Sequence, residues 1–74
     1  MDKARQQRVK QRFGARVREL REIADLTQED LAFAADLDRS YLSAIERGKK
    51  NLSLINIHRL ADGLKVKTAE LFPD

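Results

Sequence analysis

The apolar residues of this chain recur at helical spacing along almost its whole length. No stretch alternates apolar and polar side chains as a half-buried strand does. Phe13, Val17, Leu20 and Ala24 fall at i, i+4, i+7 and i+11, one stripe of a first helix. Thr27 opens a second segment as N-cap, with Asp30 three residues on as its capping-box partner, and Leu31, Ala32 and Ala35 form its inner side. After a short break at Asp36-Leu37, Asp38 is the expected N-cap of a third helix, Arg39 to Arg47, with Leu42 and Ile45 inward and Gly48 as a left-handed stop. Ser53 caps a fourth helix to about Gly63, with Leu54, Ile57, Leu60, Ala61 and Leu64 on the core side. Thr68 caps a final turn, Ala69 to Phe72, ended by Pro73. The expected fold is all-α, a compact bundle of about five helices.

A chain of 74 residues has room for one core. Residues 13–74 are read as that domain. Residues 1–12 are read as a basic extension, either further turns of the first helix from as early as Lys3 or a mobile arm, because no apolar stripe precedes Val9. A domain this small buries only about 60% of its unfolded surface. Cysteine is absent, so neither disulfides nor thiolate-held metal can reinforce it, and self-association is the remaining common device. No apolar run approaches the roughly 18 residues that cross a bilayer, and no signal-peptide pattern opens the chain, so a soluble, cytoplasmic protein without membrane contact is expected.

The net charge of +3 matters less than its distribution. Lys3, Arg5, Arg8, Lys10, Arg12, Arg16, Arg18 and Arg21 crowd the first part of the chain, and Arg47, Lys49 and Lys50 form a second group. Asp25, Glu29, Asp30, Asp36 and Asp38 gather elsewhere. Such separation suits either a solvated charged surface or a face for a polyanion. His58, the single histidine, has no neighbouring ligand set or catalytic partner, and no glycine-rich phosphate loop follows a strand. Neither an enzyme activity nor a metal, cofactor or small-molecule ligand is expected.

Two short helices joined by three or four residues, Thr27 to Ala35 and Asp38 to Gly48, have helix-turn-helix spacing. In that unit the second helix enters the major groove of a duplex and its first residues reach base edges. With Leu42 and Ile45 inward, Arg39, Ser40, Ser43 and Ala44 become the outward, base-reading positions. Arg39 can bond guanine in a bidentate manner, and Ala44 can offer only an apolar touch, such as to a thymine methyl.

Leu20-Arg21, Leu26-Thr27-Gln28, Leu31-Ala32, Ile45-Glu46-Arg47-Gly48 and Ala61 with Leu64-Lys65-Val66 together resemble the Cro- and phage-repressor-like helix-turn-helix domains. The run Leu37 to Gly48 followed by Asn51-Leu52 is most similar, within that family, to the controller proteins of restriction–modification systems. The resemblance implies a five-helix repressor-like fold and sequence-specific binding of double-stranded DNA. It makes Gln28 a phosphate-gripping residue at the start of the second helix and sets Arg47, Lys49 and Asn51 in a phosphate-contacting loop. It makes Arg21 and Glu46 a partly buried ion pair of structural role. Asp36 and Lys65 stand where the family often has glycine, which leaves the end of the fourth helix less defined.

Other residues have two readings. Tyr41 either bonds phosphate or packs against the turn. Phe33 is read as a helix-surface aromatic, a hydrophobic cap or a backbone contact, with simple packing favoured. Leu52, Ile55 and Phe72 exceed what one small core needs and serve either local packing or a two-fold dimer; the dimer is favoured because one half-site binds too weakly for specific regulation. The function expected is that of a homodimeric transcription regulator on a palindromic operator, controlling a restriction–modification operon. The alternatives are an antitoxin that pairs with a toxin, betrayed by a co-purifying partner, and a helical interaction module, betrayed by indifference to duplex DNA and salt.

Overall fold

The computed structural model describes residues 1–73, and all their regular structure is helical. Helix α1 runs Lys3–Ile23, α2 Gln28–Ala35, α3 Arg39–Glu46 and α4 Leu54–Leu64, followed by a 3₁₀ turn at Thr68–Leu71. Residues 3–12 are thus turns of α1, started by the Asp2 carboxylate, which accepts from Arg5 N at 2.7 Å.

Local chemistry sets most of the boundaries. The Thr27 hydroxyl accepts from Asp30 N at 3.0 Å and the Asp30 carboxylate accepts from Thr27 N at 3.0 Å. That backbone hydrogen bond from Thr27, with the hydroxyl contact second, holds the Asp30 carboxyl below its ordinary pKa. The Ser53 hydroxyl caps α4 through Asn56 N at 3.2 Å. Asp38 stands at the N-cap of α3 with extended backbone but makes no capping bond with its side chain. All four α-helices are followed by a left-handed residue: Asp25 beyond α1, Asp36 after α2, Gly48 beyond α3 and Lys65 after α4, at φ 59°, 57°, 73° and 58°. Lys65 therefore fills the glycine-like role itself and closes α4 after Leu64.

Val17, Leu31, Leu42, Ile45, Leu60 and Leu71 are fully enclosed and form the centre where all five elements meet. Helix α2 packs on α4, and α1 packs on α3. Small residues set both distances. A Cβ on Gly63 would stand 3.0 Å from Ala35 N, and one on Gly14 would run into the Ile45 and Glu46 carbonyl oxygens of α3.

Four expectations change. Leu54, expected on the core side, is 76% exposed because it occupies the first position of α4, beyond the edge of the core that its stripe-mates Ile57 and Leu60 reach. Ala24 is the exposed C-cap of α1 rather than part of its buried stripe. Thr68 lies inside the final 3₁₀ turn, whose N-cap is Lys67, with the Glu70 carboxylate accepting from Lys67 N at 2.8 Å. Phe33 is 89% exposed on α2 and does not pack.

The close approach at Gly14 gives a direct test. Gly14→Ala must force backbone apart, so overpacking lowers stability by about 1–3 kcal/mol in urea unfolding. Helix propensity alone would raise it by about 1 kcal/mol. A stabilised Gly14→Ala would show that α1 and α3 are not held at this distance.

Candidate nucleic-acid interface

The site is built around one carboxylate. Glu46, at the last position of α3, accepts Arg21 Nε at 2.7 Å on Oε2 and Arg21 Nη2 at 3.0 Å on Oε1. Both side chains are almost enclosed, 12% exposed for Arg21 and 4% for Glu46. Arg21 Nη1 also donates to the Leu26 carbonyl at 2.9 Å, which ties the α1–α2 turn to the pair. The hydrogen bond to Glu46 is the main reason that the Arg21 pKa is raised, outweighing desolvation. The same Glu46 Oε1 accepts Gln28 Nε2 at 3.1 Å. Gln28, the first residue of α2, is therefore held by the end of α3, with its amide oxygen left to accept.

Along α3 the structure sorts the expected base-reading positions. Arg39 and Ser40 are exposed at the start of the helix, Ser40 on the side opposite Leu42 and Ile45 and Arg39 one turn before Leu42 at the open end. Ser43 is half-exposed, and its hydroxyl accepts from Arg47 Nη1 at 2.7 Å. Ala44 is only 9% exposed, which corrects the expectation that it faces outward. Helix angle alone puts it beside Ser40. It also stands one turn before Gly48, where α1 closes over the end of α3: Gln7 Nε2 donates to the Gly48 carbonyl at 3.1 Å, and a Cβ on Gly48 would meet Gln11.

The expected phosphate-contact residues lie around this helix. Tyr41 is half-buried, and its hydroxyl oxygen accepts from Asn56 Nδ2 at 3.2 Å, so the phenolic proton remains to be donated outward. Lys50 Nζ stands 6.0 Å from the Tyr41 ring centroid. Arg47, Lys49 and Asn51 are exposed in the stretch after α3, which is fixed by Gly48 N on the Ile45 carbonyl at 2.9 Å and Lys49 N on the Ala44 carbonyl at 3.0 Å. Arg47 spends one donor on Ser43 and keeps others.

Sequence reasoning missed Asn56 and Arg59. Asn56 Oδ1 accepts from Arg59 Nη1 at 3.3 Å, so an α4 pair stands behind Tyr41. Asn56 reads in the sequence only as the third residue after a helix cap, and nothing there links it to a tyrosine 15 residues earlier. On another side, Phe72 is 53% exposed and its ring lies 5.3 Å from Phe13 at 45°. Ile55 is 64% exposed, and half-buried Leu52 lines a groove with Val9, Phe13, Ile57 and Phe72.

Two short helices with a three-residue turn, one carboxylate joining both to α1, and an exposed polar start to the second helix define a helix-turn-helix protein. Residues 17–71 match the family described as "Helix-turn-helix". The control protein C.MunI of a Mycoplasma species is 48% identical over 67 residues, 89% of this chain and 90% of that one. The control protein C.BamHI of Bacillus amyloliquefaciens is 45% identical over 60 residues, 80% of this chain and 74% of that one. The crystal structure of the restriction–modification controller protein C.AhdI from Aeromonas hydrophila superposes with a TM-score of 0.82 at 52% identity, covering 84% of this chain and 94% of that one. The chain belongs to the helix-turn-helix family of DNA-binding transcription regulators, proteins that bind rather than catalyse, and its relatives include these control proteins.

Glu46→Ala would leave the Arg21 guanidinium enclosed without its counter-ion and release Gln28. A loss of about 3–5 kcal/mol in urea-unfolding free energy is expected. Glu46→Gln, which keeps an acceptor and the side-chain shape, should lose less. An Ala variant as stable as the parent would mean that the pair does not hold α1 to α3.

Proposed function

We propose that the protein is a homodimeric, sequence-specific regulator of transcription that binds a two-fold symmetric operator in the cytoplasm and controls a restriction–modification operon. The observation that carries this reading is the exposed polar start of α3, whose far end is fixed because Arg21 of α1 and Gln28 of α2 both bond to its last residue, Glu46. Arg39, Ser40 and Ser43 read base edges in the major groove. Gln28, Tyr41, Arg47, Lys49 and Asn51 hold phosphates on either side, which sets the depth and register of α3. The relatives named as control proteins, one described as a restriction–modification controller, support the choice of target.

Leu52, Ile55 and Phe72 supply the dimer contact. All three are apolar and covered incompletely by their own chain, and Leu52 and Phe72 line one groove. A two-fold dimer joined there presents two copies of α3 to one side of a duplex, about 34–36 Å apart when both enter the major groove.

Selection of duplexes from a random pool tests the whole reading. The winners should be palindromic, with half-site centres separated by about one helical turn. Ile55→Glu should remain folded, sediment as a monomer and lose the operator affinity that depends on joint binding. Unsymmetrical winners bound by single chains, or an Ile55→Glu variant that still dimerises, would refute the dimer and its interface.

A further inference from the structure

The family match starts at residue 17 and leaves most of the basic segment outside it. Within residues 1–16 the single carboxylate, Asp2, is occupied in capping α1. Arg16 is bonded to Glu19 and to the Glu70 carbonyl. The side chains of Lys3, Arg5, Arg8 and Lys10 have no hydrogen-bonding or ionic partner among the described residues. Unpaired like charges on adjacent turns repel one another, so the isolated chain gains nothing from this arrangement. A polyanion laid against them gains from each one.

Their placement is specific. Gln7 donates to the Gly48 carbonyl and Gln11 lies against Gly48, so this part of α1 is fixed beside the point where the Arg47–Asn51 stretch leaves α3. Lys3 and Lys10, four residues before Gln7 and three after it, share its helix face. Lys10 is half-buried and lines the groove of Lys50, Asn51, Leu52 and Phe72, so it borders the proposed dimer contact. Lys3 sits about 6 Å further along the axis than Gln7 and is fully exposed. Arg5 points about 160° round the helix from Gln7, away from that loop.

We infer that the amino-terminal turns of α1 form a second backbone-contact site, in which Lys3 and Lys10 bind duplex phosphates next to those held by Arg47, Lys49 and Asn51. This rests on the DNA-binding reading and extends its footprint past the helix-turn-helix. The ligand is the phosphodiester backbone, so the site adds affinity and salt dependence without adding base preference. The Gln7–Gly48 bond gives α1 and the loop one common position on the duplex.

The test is the salt dependence of operator binding by the full chain, with an operator taken from the random pool. The parent is compared with Lys3→Gln, with the Lys3→Gln/Lys10→Gln double variant and with Arg5→Gln, the double variant being compared as a dimer shown by sedimentation. Each lost phosphate contact lowers the slope of log Kd against log salt concentration by about 0.9. The double variant should therefore fall by nearly two units and Lys3→Gln by about one, while Arg5→Gln stays near the parent. Phosphate-ethylation interference should lose the same flanking positions in the double variant, and base preference should not change. Should the double variant fail to fold or to dimerise, Lys3→Gln at its fully exposed position carries the test. An unchanged slope, or an equal fall in Arg5→Gln, overturns the inference by showing either no contact or an unspecific effect of charge. A parent that binds no duplex refutes the DNA-binding reading itself, whereas a parent that binds beside variants of unchanged slope refutes this site alone.

Discussion

The arrangement of this protein depends on the ion pair of Arg21 and Glu46. Removing two charges from water is costly, and an apolar pair of the same volume would serve stability as well or better. What an apolar pair cannot do is bond in several directions at once. Glu46 takes two donors from Arg21 and one from Gln28, and Arg21 takes the Leu26 carbonyl as well. One enclosed cluster therefore joins α1, the turn after it, the first residue of α2 and the last residue of α3. The value of the pair lies in direction, since it fixes where two short helices start and end with respect to each other.

That fixation is needed because neither helix can supply it. Both α2 and α3 have 8 residues, well short of the roughly 12–15 at which an isolated helix becomes even marginally stable. They exist because Leu31, Leu42 and Ile45 are enclosed by α1 and α4, and because Gly14 and Gly63 let backbones come close enough to enclose them. The polar outer face of α3 is then free of structural duty at Arg39 and Ser40. Behind it, Asn56 and Arg59 of α4 orient Tyr41, so even this side chain is positioned from outside its own helix.

Much of this was legible in the residues. Thr27 with Asp30, Ser53 and Gly48 are local signals, and local hydrogen bonds or a left-handed backbone carry them out. Helical period correctly separates Leu42 and Ile45 from Ser40, whereas Arg39, three residues before Leu42, is exposed at the first position of α3. The same period fails at Leu54 and Ala44 for one reason: it gives the angle of a side chain within its helix but not how far the neighbouring elements extend. Leu54 points along the inner stripe yet lies past the end of the core, while Ala44 points outward yet meets the turn covered by α1. The Arg21–Glu46 pair spans 25 residues and was accessible only through family resemblance. The Asn56–Tyr41 bond had no sequence signal at all.

The central claim is that the exposed start of α3, aimed by the buried pair beneath it, reads base sequence. The most direct measurement is the ratio of affinities for the operator and for a scrambled duplex, compared between the parent and Arg39→Ala at one salt concentration. The account predicts that the ratio falls by about 5- to 150-fold, the equivalent of the 1–3 kcal/mol of one bidentate base contact, with binding to scrambled DNA weakened far less. An Arg39→Ala variant that keeps the parent's ratio while both affinities drop together would contradict it, because Arg39 would then be holding phosphate and not reading bases.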